Sequence, residues 1–114
     1  MVGDTDWVYP TLQNEWTNYN NAAGTYERAR YKKRNGVVYI EGLIKSGTSK
    51  NDGGLTPIFV LPTGFRPKKQ LCFTTTSSAT GYCNRIDVYA NGVVQSITGD
   101  NGYLSLCLCF IAEQ

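Results

Sequence analysis

The sequence predicts an all-β fold: an antiparallel, jelly-roll-like β-sandwich of about eight strands. Three observations carry that expectation. Turn signals recur at short spacing, at 20–24 (NNAAG), 35–36 (NG), 46–54 (SGTSKNDGG), 62–64 (PTG), 77–81 (SSATG), 91–92 (NG) and 99–102 (GDNG). The runs between them are rich in Val, Ile, Thr, Tyr and Phe, the residues that fit a pleated surface. No stretch shows helical periodicity. With 114 residues, 12 Gly and 8 Tyr, the chain is long enough for one domain with its own core. The expected unit is one sandwich over 1–114, one domain cut from a longer protein.

The expected strands are 7–12, 25–34, 37–45, 57–61, 70–76, 84–90, 93–97 and 103–111. The second and third form a hairpin about Asn35-Gly36, a strong signal for a two-residue turn. That register sets Arg34 opposite Val37, Lys32 opposite Tyr39 and Arg30 opposite Glu41. Arg28, Arg30, Lys32, Arg34 and Glu41 then share a polar face, with an Arg30–Glu41 ion pair. Ala29, Tyr31, Val38, Ile40 and Ile44 form the apolar face. The basic run therefore reads as a solvated strand face rather than a nucleic-acid patch. Contact with an anionic polymer is the remaining alternative.

Trp16 belongs to the core or an interface, and Trp7 is free to meet a preceding segment. The run 61–67, LPTGFRP, reads as a structural turn. Its prolines fix φ, Gly64 permits the bend and Phe65 plugs the core. Strands 84–90 and 93–97 form a second hairpin about Asn91-Gly92. The two-residue register places Ile86, Val88, Ala90, Val93 and Ile97 on one face. It places Arg85, Asp87, Tyr89, Val94 and Ser96 on the other, as in a surface strand. Strand 103–111 differs, because neither face is charged. Leu104, Leu106, Leu108 and Phe110 alternate with Ser105, Cys107, Cys109 and Ile111. A strand apolar on both faces is buried on both. A subunit interface formed by Leu104, Leu106, Cys107, Leu108, Cys109 and Phe110 is one way to cover it. Passage through a barrel corner is the other.

The chemistry is bounded by what is missing. The chain has no histidine, so no Ser-His-Asp or Cys-His arrangement exists. Glu15, Glu27, Glu41, Asp52, Asp87 and Asp100 are scattered, and no glycosidase pair is indicated. There is no phosphate loop and no dinucleotide fingerprint, so no cofactor is implied. The four cysteines lack zinc spacing. They are expected to be free, mostly buried thiols, with a Cys72–Cys83 disulfide as the alternative. Free thiols point to assembly in a reducing cytosol. A net charge of +2 is too small to demand a polyanion. No apolar run reaches membrane-span length, and no signal peptide opens the chain.

Five segments occur in a recognisable order: LQNEWTNY (12–19), YKKRNGVVYIEGLIKSGT (31–48), IFVLPTGFRP (58–67), RIDVYANGVV (85–94) and NGYLSL (101–106). Together they resemble the C-terminal head domains of tail-fibre, receptor-binding and minor tail proteins of long-tailed bacteriophages. Ser46 departs from a common Gly, the 46–55 loop is longer, Tyr103 replaces a Trp, and CLCF replaces a polar turn. The resemblance implies a non-enzymatic, homotrimeric head at the tip of the tail. It implies assembly in the host cytoplasm, contact with other tail proteins, and adhesion to bacterial cell-wall or surface polysaccharide. No nucleic acid and no membrane insertion are implied. A purely structural trimerisation domain is the second reading and an envelope-polysaccharide depolymerase the third.

Sugar sites combine aromatic faces with amides, carboxylates and guanidinium groups. Tyr82, Asn84 and Arg85, after the SSATG loop, fit that description. Tyr19 and Asn20 in TNYNN, and Asn51 and Asp52 in the long loop, complete the candidates.

Overall fold

The computed structural model describes residues 3–20, 24–48, 56–76, 83–98 and 102–113. Among them the regular elements are all strands: β1 (Thr17–Asn18), β2 (Arg30–Arg34), β3 (Val37–Glu41), β4 (Leu43–Lys45), β5 (Phe59–Val60), β6 (Leu71–Thr76), β7 (Cys83–Val88), β8 (Val93–Thr98), β9 (Leu104–Ser105) and β10 (Leu108–Ile111). They form three antiparallel sheets, ordered β1-β4-β9, β10-β3-β2 and β5-β8-β7-β6. No helix long and apolar enough to cross a membrane occurs among the described residues.

The first two sheets are halves of one bent sheet. Leu43 lies opposite Ser105 and Ile40 opposite Leu108, so one register runs through both. The Leu106 N–H donates to the Gly42 carbonyl at 2.9 Å across the joint. The expected strands 37–45 and 103–111 therefore each break at a corner. Gly42 makes the corner possible. Its φ is +131°, and a β-carbon there would lie 2.6 Å from the Ala29 Cα. Only glycine accepts both that angle and that approach.

The first hairpin has the expected register, with Arg30 opposite Glu41, Lys32 opposite Tyr39 and Arg34 opposite Val37. Asn35 and Gly36 have φ of +50° and +81°, the positive pair that a type I′ turn needs. Ala29, Tyr31, Val38, Ile40 and Ile44 are buried. Ahead of it, residues 7–12 do not form a full strand. Only Val8 bridges Tyr31, with Thr5 N–H bonded to the Lys33 carbonyl at 3.0 Å. This segment follows the outer edge of β2 and lays Trp7 and Tyr9 over the basic face. The Arg30 guanidinium sits 4.0 Å from the Trp7 ring centroid, Lys32 Nζ 4.6 Å from it, and Arg28 4.4 Å from that of Tyr9. The basic face is thus partly roofed by aromatic rings.

The second hairpin differs from its expected register. Val88 lies opposite Val94 and Asp87 opposite Gln95. The loop is Ala90-Asn91-Gly92, closed by Tyr89 N–H to the Val93 carbonyl and Gly92 N–H to the Tyr89 carbonyl, both 2.9 Å. Of the two turn residues only Gly92 has positive φ, +91°. One extra loop residue exchanges the faces of β8. Val94 joins Ile86 and Val88 in the core, while Val93 and Gln95 lie with Asp87 on the outer side. That side is no plain surface strand, because Asp87 and Gln95 are fully buried.

The core lies between the bent sheet and the four-stranded one. Trp16, Ile40, Ile44 and Leu106 from the first meet Phe59, Leu61, Ile86 and Val94 from the second. Each fully buried aliphatic or aromatic side chain contributes about 1.5–3 kcal/mol over an exposed one. Phe65 meets Tyr31 edge-on at 5.4 Å, so the 61–67 turn does plug this core from the side. The four cysteines are free, as expected, but all are exposed rather than buried. Cys72 lies opposite Asp87 and Cys83 opposite Thr76, at the two ends of the β6–β7 ladder, so no bridge joins them.

Candidate functional site

At the Gly42 corner a groove of about 320 Å³ opens between the strands. Tyr26, Glu27, Glu41, Gly42, Leu43, Thr76, Tyr103, Ser105 and Cys107 line it. Its aromatic wall is built on Tyr19. β1 delivers this residue, and its N–H donates to the Leu43 carbonyl at 2.9 Å. The Tyr19 ring then meets Tyr26 edge-on at 5.7 Å and Tyr103 edge-on at 5.9 Å. Asn20 Oδ1 accepts the Tyr26 N–H at 3.1 Å and fixes the backbone of that ring. Tyr26 is itself 52% exposed, so its face remains available.

The carboxylates come from the close packing at Gly42. Leu43 N–H donates to the Glu27 carbonyl at 3.1 Å, which ties residue 27 to the corner. Arg30 joins the two acids. Its Nη1 lies 3.4 Å from Glu27 Oε1, and its Nε donates to Glu41 Oε1 at 2.7 Å. Its Nη2 donates to that same Glu41 oxygen. Burial works against the Arg30 charge. Hydrogen bonds to Tyr9 and Glu41, and the fields of Glu41 and Glu27, outweigh it and raise the pKa.

The rings of exposed Tyr26 and half-buried Tyr103, two carboxylates and the hydroxyls of Thr76 and Ser105 therefore share one small concavity. That is the set needed to stack a sugar ring and bond its hydroxyls. No group of three or more Cys, Asp or Glu suited to a metal ion occurs among the described residues.

Of the seven residues chosen from sequence, Tyr19 and Asn20 stand at this groove as supports for Tyr26 and Tyr103. Asn84 is buried and donates to the Thr76 carbonyl at 3.1 Å, rather than facing solvent. Arg85 belongs to the outer face of the four-stranded sheet. There its Nε and Nη2 each reach an Asp87 oxygen at 2.9 Å. Those bonds, and the Asp87 charge, raise its pKa. Tyr82, Asn51 and Asp52 lie outside the described residues. Tyr26, Glu27, Glu41 and Tyr103 escaped the sequence reading as a set. Their signal is topological, since the Gly42 corner collects them from three separate segments.

The six residues assigned to an interface divide in two. Leu104, Leu106 and Phe110 are buried in the protomer's own core. Cys107 and Cys109 are exposed, and Leu108 is half-buried. Cys109 lies opposite Tyr39, and Ile111 opposite Val37. The outer face of β2, β3 and β10 thus carries Lys32, Tyr39 and Cys109 across one rung, and Arg34, Val37 and Ile111 across the next. Ile111 is 65% exposed. A shallow depression of about 570 Å³ runs over this face, with Trp7 at its margin.

No family model matches this chain, and no curated protein matches it. Among solved structures it is similar to the receptor binding protein (gp15) of Listeria phage PSA. The TM-score is 0.68 at 16% identity, covering 99% of this chain and 68% of that one. At that identity the likeness is one of fold.

Proposed function

We propose that this chain is the receptor-binding head of a phage tail, holding the particle to its bacterial host through a cell-surface saccharide. The observation that carries the reading is the groove at Gly42, with Tyr26 and Tyr103 on its wall and Glu27 and Glu41 beside them. The fold shared with a phage receptor binding protein supports the setting. The role is adhesion rather than catalysis. A fluorescent form of the chain will label host cells, and soluble host polysaccharide will compete. Tyr26→Ala and Tyr103→Ala will each lower binding about tenfold with an unchanged circular dichroism spectrum. Full labelling by the double variant would reject the groove as the site.

The same reading places the chain at the tail tip as a homotrimer, assembled in the host cytoplasm and joined to other tail proteins. The outer face of β2, β3 and β10 supports it, since Tyr39, Cys109 and Ile111 leave apolar and thiol groups in water. Tyr39→Asp with Ile111→Asp will convert a trimer mass to a monomer in sedimentation equilibrium. That face also favours a second reading, a structural tip that trimerises and binds nothing. A trimer that labels no host cell would establish it.

A further inference from the structure

Glu27 and Glu41 are the charged groups lining the groove, on a chain whose formal net charge is +2. Arg30 is engaged by both acids. The groove's lining residues carry two carboxylates and no cation, with Lys45 Nζ outside the lining, 5.5 Å from the Tyr19 ring centroid. Both Arg30 bonds to Glu41 fall on Oε1, so Oε2 keeps its acceptor capacity. A ligand that covers these acids removes water from them. An uncharged hydroxyl replaces that water weakly, whereas a cationic donor makes a charge-assisted bond. An anionic ligand is repelled. The tyrosines add a second preference in the same direction, because the faces of Tyr26 and Tyr103 attract a cation as well as a sugar ring. The volume, about 320 Å³, suits a terminal unit rather than a long chain.

We infer that the groove selects a saccharide bearing a protonated primary amine: a hexosamine whose nitrogen is not acylated. This rests on the saccharide reading above and narrows it. The ammonium sits beside Glu41 and Glu27, and the ring lies against the tyrosines.

Isothermal titration with two probes of one linkage tests it: a β-1,4-linked glucosamine tetrasaccharide and its fully N-acetylated counterpart. At about pH 6 the amine form will bind at least tenfold more tightly, a difference of about 1.4 kcal/mol. The advantage will vanish at about pH 9, where the amine is neutral. Glu41→Gln and Glu27→Gln will each remove most of the amine probe's advantage over the acetylated one. Equal or tighter binding of the acetylated probe overturns the amine assignment and leaves the saccharide reading standing. Equal binding of tetralysine overturns it too, since charge alone would then suffice. Failure of both probes and of a panel of neutral host saccharides overturns the saccharide reading, and this inference with it.

Discussion

Gly42 lies against Ala29 so closely that a β-carbon at residue 42 would come 2.6 Å from the Ala29 Cα and 2.7 Å from its nitrogen. Backbone gives way far less easily than a side-chain tip. Gly42→Ala will therefore cost about 2–4 kcal/mol, from overpacking and from a φ of +131° together. Gly36→Ala separates the two causes. Its φ is +81° with nothing within 4 Å of the added carbon, so it will cost only about 1–2 kcal/mol. Urea midpoints measure both. Equal losses would show that the contact with Ala29 contributes nothing.

Trp7 fastens the first segment to the hairpin by stacking on Arg30 and Lys32. Trp7→Ala will lower stability by about 1–2 kcal/mol, and Trp7→Phe by less, since a phenyl face attracts cations more weakly. Thermal melts at low and high salt are the check. An unshifted Trp7→Ala midpoint would leave the stacked pairs energetically empty.

Asp87 gives the fold a defined acid limb. Burial pushes its pKa up, but hydrogen bonds from Arg85, Gln70 and Cys72 and the Arg85 charge hold it below its ordinary 3.8. A depressed folded pKa gives stability that is present above the unfolded value. That stability is lost as pH falls through the folded value. Stability will thus be level near neutrality and decline below about pH 5. Asp87→Asn will lower neutral stability by about 1–3 kcal/mol and flatten the decline. An unchanged acid limb in the variant would assign it to other carboxylates.

The four thiols are exposed and unbridged. Ellman's reagent will titrate all four in the isolated, unassembled chain without denaturant, and reduction will not change the mass. In the proposed trimer, protection of Cys107 and Cys109 with Cys72 and Cys83 still reactive would locate the covered face. Equal reactivity of all four in the assembly would move the interface elsewhere.

The two Asn-Gly turns explain what a sequence can and cannot tell. At Asn35-Gly36 a β-carbon on the glycine would meet nothing within 4 Å, so local preference decides and the register follows. At Asn91-Gly92 a β-carbon on the glycine would lie 2.3 Å from the Leu61 carbonyl oxygen. Packing against the 61–67 turn there selects a longer loop, and β8 shows its other face. Nothing within the ten residues around Asn91 records that contact. The same limit applies to the groove. Tyr19 and Asn20 were legible because they stand together in a polar loop. Tyr26, Glu41 and Tyr103 are brought together only by pairing across the corner, which no local pattern encodes. The burial of Asn84 was equally hidden, since it depends on the Thr76 carbonyl in the neighbouring strand.

The run from β9 into β10 pairs with β4 on one side of the corner and with β3 on the other. A ribosome releases these residues after nearly every partner they have. Until 104–111 emerge, β3 and β4 lack a neighbour on that flank, and Leu106 and Phe110 are missing from the core. Long-range closure of this kind is slow, and it postpones cooperative folding until this run has emerged. A nascent chain stalled before residue 104 will thus remain protease-sensitive, so the domain matures as a whole rather than strand by strand.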